Sequence, residues 1–346
     1  MSTGDRNRIR VAREILNEAR QLAYPRPPKG SCGIGPRSPD VVRAALERCD
    51  EAVVLCPTLV DAYVERSSLR NEVGDDDGAK ADALRALQPR PTDVRSYLRI
   101  SFRFDWPERR QILQTAMRRL RGSPSDRAFL WLNVADTYWY EGRFEDQVRE
   151  LRKLLRYRTR IRYFRRIDLD YSTLGAALQA LGRYGEAEET YRDGLKSRHG
   201  RRLAQDVVLA RVRRNDFQGA EEALQRLRPK LPRGLAGLLR AAIRGLQGKS
   251  ARSSPRTLDK ATQQTPFGGV GLFGFYAAVV LLRMGREAEA RPLLRRYIAD
   301  SEGNPREWGI TNRWEIAKAK ELLAAPNAGQ RSKPPPSGSA SAMSRW

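Results

Sequence analysis

The chain has 346 residues, of which 40% are apolar and 8% aromatic, so it can bury a core and wholesale disorder is excluded. Lys and Arg outnumber Asp and Glu by 65 to 41, a formal charge of +24. The excess is uneven: residues 1–90 hold 15 basic and 14 acidic residues, and residues 91–346 hold 50 and 27. A field of that sign favours polyanions, acidic proteins or anionic surfaces as partners. Arg outnumbers Lys 55 to 10, and a GC-rich coding sequence imposes the same bias without any ligand. Three cysteines (Cys32, Cys49, Cys56), with no CxxC pair, exclude a disulfide framework and predict a reducing, cytoplasmic setting. The N-terminal residues carry no apolar signal core.

Residues 5–23 place Ile9, Val11, Ile15, Leu16 and Leu22 on a short amphipathic helix. Residues 24–40 are dense in Pro and Gly and predict a linker. A helix with small residues at Ala45, Cys49 and Ala52 follows and stops at Pro57. From there a pattern recurs. Tyr63, Gly74, Ala79, Ala83, Ala86 and Pro91 form one copy, and Tyr97, Ile100, Phe104, Pro107 and Ala116 a weaker one. Trp131, Val134, Ala135, Tyr138, Gly142 and Phe144 form the next, with Gln147 where a small residue is expected. The clearest copy is residues 170–198: Tyr171, Leu174, Gly175 and Leu178 share one helical face, Gly182 and Tyr184 mark a turn, and Ala187, Tyr191 and Gly194 share the next. Further copies centre on Val207, Val208, Phe217, Ala220 and Leu224, on Ala241 and Gly248, and on Ala278, Gly285, Ala290 and Leu294.

The turn positions 74, 107, 142, 182, 215, 248 and 285 are spaced by 33, 35, 40, 33, 33 and 37 residues. With its aromatic, Leu-Gly, turn glycine and small-aromatic-small series, the pattern resembles the tetratricopeptide repeat (TPR) family. His199 stands where that family has proline. The resemblance implies an all-α fold, an α-solenoid of about seven antiparallel helix pairs over 41–300. Gly175 and Ala187 are expected to face each other across one pair. Residues 1–40 are read as helix plus linker, 301–325 as a capping helix and 326–346 as a disordered tail.

Chemistry motifs do not assemble. Gly248-Lys249-Ser250 lacks the upstream glycine and strand of a phosphate-binding loop. Gly269 to Gly274 matches GxGxxG, but no apolar strand precedes it and Leu294 stands where a ribose-binding acid is needed. The single histidine, His199, leaves neither a triad nor a multi-histidine metal site. Asp75-Asp76-Asp77 reads as a helix cap. The 17-residue uncharged run Pro266–Leu282 is interrupted by glycines and reads as a buried helix, so a membrane partner is not expected. No enzymatic activity, cofactor or metal is predicted.

Two surfaces are candidates. Arg152, Lys153, Arg156, Arg158, Arg160, Arg162, Arg165 and Arg166, interleaved with Tyr157 and Tyr163, suit phosphate contacts and base stacking. Part of that charge is ordinary complementation of a helix C-terminus. The TPR resemblance also implies a concave face built from the first helix of each pair, here Leu235, Leu238, Leu239, Leu272, Phe275, Tyr276 and Val279. The Lys–Asn pair with which some family members hold a peptide carboxylate is missing. The apolar face instead suits an amphipathic helix, either a partner's or the chain's own Trp308, Trp314, Ile316, Leu322 and Leu323. The expected function is a protein-interaction scaffold whose partner is a protein or amphipathic helix, an acidic one fitting the charge; RNA or another polyanion on 152–166 is the alternative.

Overall fold

The computed structural model describes residues 2–24, 38–88, 91, 93–120, 122–161, 167–250, 253, 256–258, 272–303 and 313–325. The described residues are helical or in turns and short connections, and contain no strand. The chain divides into two compact units, Met1–Tyr163 and Phe164–Trp346.

In unit 1 the helices are α1 (Thr3–Ala23), α2 (Pro39–Leu55), α3 (Val60–Glu72), α4 (Asp76–Leu87), α5 (Val94–Ser101), α6 (Trp106–Arg119), α7 (Pro124–Tyr140) and α8 (Phe144–Arg160). Successive helices pair as antiparallel hairpins, and the first helices α3, α5 and α7 also touch one another in series. The starts are chemically capped. Ser2 with Asp5 and Ser123 with Asp126 form capping boxes, and the Asp75 side chain accepts from Gly78 N at 2.9 Å. The core is lined with small side chains: Ala45, Cys49, Ala52, Ala62, Ala83 and Ala86 are fully buried around Leu16, Leu69 and Ile100. A second cluster forms on Tyr97, Leu113, Leu130 and Val134.

Unit 2 holds α9 (Ile167–Ala180), α10 (Tyr184–Gly194), α11 (Ala204–Arg213), α12 (Phe217–Leu227), α13 (Arg233–Leu246), α14 (Leu272–Arg283), α15 (Glu287–Gly303) and α16 (Arg313–Ala324). Pairing follows the same rule, and α13 additionally packs directly on α14. The described part of the uncharged run, residues 272–282, lies in α14, whose residues from Gly274 to Leu281 are all buried. Among the described residues no helix is long and apolar enough to cross a membrane. The predicted tail 326–346, most of the linker and Trp308 lie outside the described residues.

One device ends the first helix of five hairpins and also ends α13. Gly74, Gly142, Gly182, Gly248 and Gly285 have φ between 74° and 81°, and Asn215 has φ 62°. In each, the residue after the turn donates its N–H to a carbonyl five residues back, as in Arg143 N to Tyr138 O at 2.8 Å and Asp216 N to Arg211 O at 3.0 Å. This is the left-handed helix stop that glycine and asparagine adopt at least cost. The α5–α6 turn differs. It has no left-handed residue, and Pro107 is the second residue of α6 rather than the turn itself. The turn comes at Phe102–Asp105, two to five residues earlier than the spacing predicted, because α5 is only 8 residues long.

Five residues after each left-handed turn glycine or asparagine of α4, α10, α12 and α15 stands Ala79, Ala187, Ala220 or Ala290, each fully buried. A small residue there lets the two helices approach closely. Gly175 does the same from the other helix, and its room is taken by the Tyr191 ring, which an added Cβ would strike. At the matching places α8 buries Gln147 and α6 buries Arg109. Gly182→Ala should lower stability by about 1–2 kcal/mol, the cost of forcing a side chain into the left-handed region. Asn215→Gly should leave stability unchanged or raise it; urea denaturation of both variants checks the pair.

Candidate partner-binding surfaces

The first-helix face of unit 2 is covered by the chain itself. Leu238, Leu239, Phe275, Tyr276 and Val279 are buried, and Leu235 and Leu272 are half-buried at the margin of the same core. Trp314, Ile316, Leu322 and Leu323 of α16 pack on that core, with the Trp314 ring edge-on to Phe275 at 6.3 Å. At the centre sits Glu315, which is fully buried. Its Oε1 accepts from Arg213 Nε of α11 and from Tyr276 Oη of α14, each at 2.9 Å. Arg213 also donates to Gln179 Oε1 of α9. Four helices therefore meet in one polar knot inside an apolar face.

The knot's electrostatics follow from burial. Desolvation works to discharge Arg213, but the Glu315 carboxylate and its hydrogen bond more than offset this and hold the guanidinium above its ordinary pKa. Burial, then the Glu315 charge, drives the Tyr276 phenol well above its ordinary value, so it stays a donor. The second oxygen, Glu315 Oε2, is buried with no hydrogen-bond partner. At its other end α16 is held by Arg291, which donates to the carbonyls of Leu323 and Ala325 at 2.9 Å.

The basic segment resolves into residues with different surroundings. Arg152, Lys153, Arg156 and Arg160 are exposed on α8. Arg158 is buried, and Tyr157 is half-buried with its ring 5.7 Å from Trp131. Lys153 is paired within its own helix to Glu150 at 2.8 Å, and the neighbouring Arg149 pairs with Asp146. Arg162, Tyr163, Arg165 and Arg166 lie outside the described residues. Arg152, Arg156 and Arg160 recur every four residues and so form one stripe along the helix.

Sequence reasoning singled out no site in α1–α7, yet charge is buried there. Glu65 of α3 joins Arg20 of α1, at 2.8 Å, to Arg99 of α5. Arg66 joins Asp82 and Asp50, each at 2.6 Å. Arg109 is different. Its guanidinium lies 3.9 Å over the Phe102 ring and 5.3 Å from that of Trp106, with Nε buried and unpartnered. A cation–π contact contributes about 1–2 kcal/mol, less than an unpaired buried charge costs. Burial lowers the Arg109 pKa, with Asp136 and Tyr140 opposing that shift. Burial likewise pushes the Asp136 carboxyl up to about 6 against the pull of Arg109. Gln147, singled out in sequence as too large for its place, buries both its amide atoms without a partner.

Among the described residues the rejected sequence motifs are accounted for by the fold. Gly248 is a turn glycine with φ 78°, not part of a phosphate loop; of the GxGxxG run, 269–271 lie outside the described residues and Leu272–Gly274 open α14. Among the described residues no group of three or more His, Cys, Asp or Glu could hold a metal ion. Burial pushes the Cys49 thiol up to about 12, which makes it a packing residue.

No family model and no curated protein matches the sequence. Solved TPR structures do resemble the chain. A TPR protein from Parabacteroides merdae is 15% identical over 91% of this chain and 98% of its own, with a TM-score of 0.42. The structure of MamA protein is 12% identical over 55% and 91%, with a TM-score of 0.40. TTC0263, a thermophilic TPR protein from Thermus thermophilus, is 16% identical over 58% and 99%, with a TM-score of 0.32. The helix-pair architecture itself rests on this chain's own turns and packing.

Asp206 of α11 gives a pH test of the unit 2 interior. Burial pushes its carboxyl up to about 6, although Arg213 and Arg202 pull it down. Its unfolded value is about 3.9, so this group's contribution to stability declines as pH rises from about 4 to 6. Asp206→Asn should therefore gain about 1–2 kcal/mol at pH 7.5, after discounting for partial solvent access, and nothing at pH 4. Thermal melts at the two pH values decide it.

Proposed function

We propose that the chain is a non-catalytic helical-repeat scaffold that binds a protein partner, and that the first-helix face of unit 2 is where it receives an amphipathic helix. One observation carries the reading: α16 already lies on that face with its apolar side on Phe275 and its Glu315 carboxylate on Arg213 and Tyr276. Laying the apolar side of a helix into an apolar groove is a general mode of recognition, with a few polar groups fixing register. Arg213 sets the register here. It favours a helix that brings a carboxylate to the same depth, since an apolar residue there would cost Arg213 its ion pair. The favoured partner is thus an acidic amphipathic helix that takes the place of α16.

A peptide of residues 311–325 should bind a chain ending at residue 303 with a micromolar Kd and bind the full chain far more weakly. The same peptide carrying Glu315→Ala should lose about tenfold or more, the share of a charge-assisted hydrogen bond. A shortened chain that keeps its helicity and ignores the peptide would sink this reading.

Polyanion binding by α8 is the second reading, favoured by the exposed Arg152, Arg156 and Arg160 stripe. It requires affinity for single-stranded RNA that falls steeply with salt and flattens in the triple Arg→Glu variant. Salt-independent binding, or a triple variant that binds as before, would remove it.

A further inference from the structure

Where the hairpins of α4, α10, α12 and α15 bury an alanine, α6 buries Arg109. Arg109 is only 7% exposed. Its Nε–H is sealed from solvent and donates to nothing, and among the described residues no carboxylate lies within ion-pair distance of the guanidinium. Two other deeply buried arginines have carboxylates: Arg66 has Asp82 and Asp50, and Arg213 has Glu315. Asp136 stands on the adjoining α7, which packs on α6, one turn before the Tyr140 that stacks on Trp106; it makes no hydrogen bond and no ion pair among the described residues, and its carboxyl feels the Arg109 charge. Around Arg109 stand aromatic walls. Phe102, 54% exposed, covers the guanidinium, and Trp106 is stacked on Tyr140 at 4.2 Å and 7°.

Two opposite charges on packed neighbouring helices, with no ion pair between them, restrict what can complete them. A bare anion offered to Arg109 meets the repulsion of Asp136, and a bare cation offered to Asp136 meets that of Arg109. A neutral group that accepts on one edge and donates on the other satisfies both without bringing a new charge out of water. That group is an amide. We propose that Arg109 and Asp136, walled by Phe102, Trp106 and Tyr140, form a binding site for an amide, its carbonyl accepting from Arg109 and its N–H donating to Asp136. The amide is supplied by a peptide segment of a protein partner, and that source alone rests on the scaffold reading.

The sequence departure fits a site rather than a packing choice. A buried charged residue left without a partner weakens a fold, and an apolar residue of similar volume in its place is neutral or stabilising. Binding is what retains Arg109 in place of the alanine that α4, α10, α12 and α15 use.

The test is titration of the full chain with N-acetylglutamine methylamide at neutral pH, followed through the Arg109 Nε–H and Trp106 indole N–H resonances. Acetate and methylammonium serve as singly charged probes. The capped glutamine should give saturable shifts, and both ions should bind at least about tenfold more weakly. Arg109→Met and Asp136→Leu should each weaken the amide about tenfold or more. Gln147→Ala, outside the site, should leave its Kd unchanged. Arg109→Met should also melt no lower than the parent chain, whereas a merely structural arginine would lower the melting temperature when removed. Acetate or methylammonium binding as tightly as the amide, no saturable shift because ordered water alone fills the site, or an Arg109→Met chain that melts earlier and still binds would each overturn the proposal. None of these outcomes touches the unit 2 peptide experiment, so failure here and failure of the scaffold reading are separate results.

Discussion

Close approach of the two helices in each hairpin is the constraint from which the rest of the structure follows. It needs a stop that reverses the chain within about two residues, and a small side chain where the helices cross. The left-handed residues Gly74, Gly142, Gly182, Asn215, Gly248 and Gly285 supply the first. Ala79, Ala187, Ala220 and Ala290, with Gly175 beneath the Tyr191 ring, supply the second. Hairpins built this way bury mostly alanine and leucine. Each hairpin therefore needs a neighbour to cover its remaining apolar face, which is the physical reason such units stack in series.

These two requirements are local, and that is why the fold was legible in the sequence. A glycine or asparagine that must sit at positive φ cannot be exchanged freely, so its spacing survives even where the remaining pattern fades. The reading slipped at position 107, where no left-handed residue marks the turn and a helix-opening proline stood in for one. Long-range contacts had no such signature. Arg213 and Glu315 are 102 residues apart and Arg213 is one arginine among 55, so nothing local announced that the two would meet. The basic run misled in the opposite sense. Counting charges along α8 treats every position alike, whereas the helix turns Arg158 inward and leaves Arg152, Arg156 and Arg160 outside.

Burying an ion pair is an expensive way to seat a helix. The Trp314, Ile316 and Leu323 side chains alone give α16 an apolar side able to cover Phe275 and Tyr276. Adding Glu315 requires desolvating it together with Arg213, and one carboxylate oxygen remains unpartnered even so. Such a pair contributes little to net stability compared with an apolar substitute, but it discriminates strongly. A helix shifted by one residue presents no carboxylate to Arg213 and leaves a cation stranded. The arrangement therefore favours one helix in one register, α16 with Glu315 on Arg213.

The same logic gives meaning to departures from the repeat. A repeat protein carries its own control: what four hairpins do with alanine shows what packing needs, and what a fifth does differently shows what packing does not need. Gln147 and Arg109 occupy that position with polar groups that α7 and its neighbours leave unsatisfied, in adjacent hairpins of unit 1. Local propensity cannot account for either, because alanine is the better helix former at both places. Coding bias toward arginine is one source of surface charge, where a substitution is nearly neutral, but it fails for a side chain that is 7% exposed. A buried cost that the fold does not need calls for a reason outside the fold, and at Arg109 the Asp136 carboxylate, which makes no ion pair among the described residues, is what the proposed amide would meet.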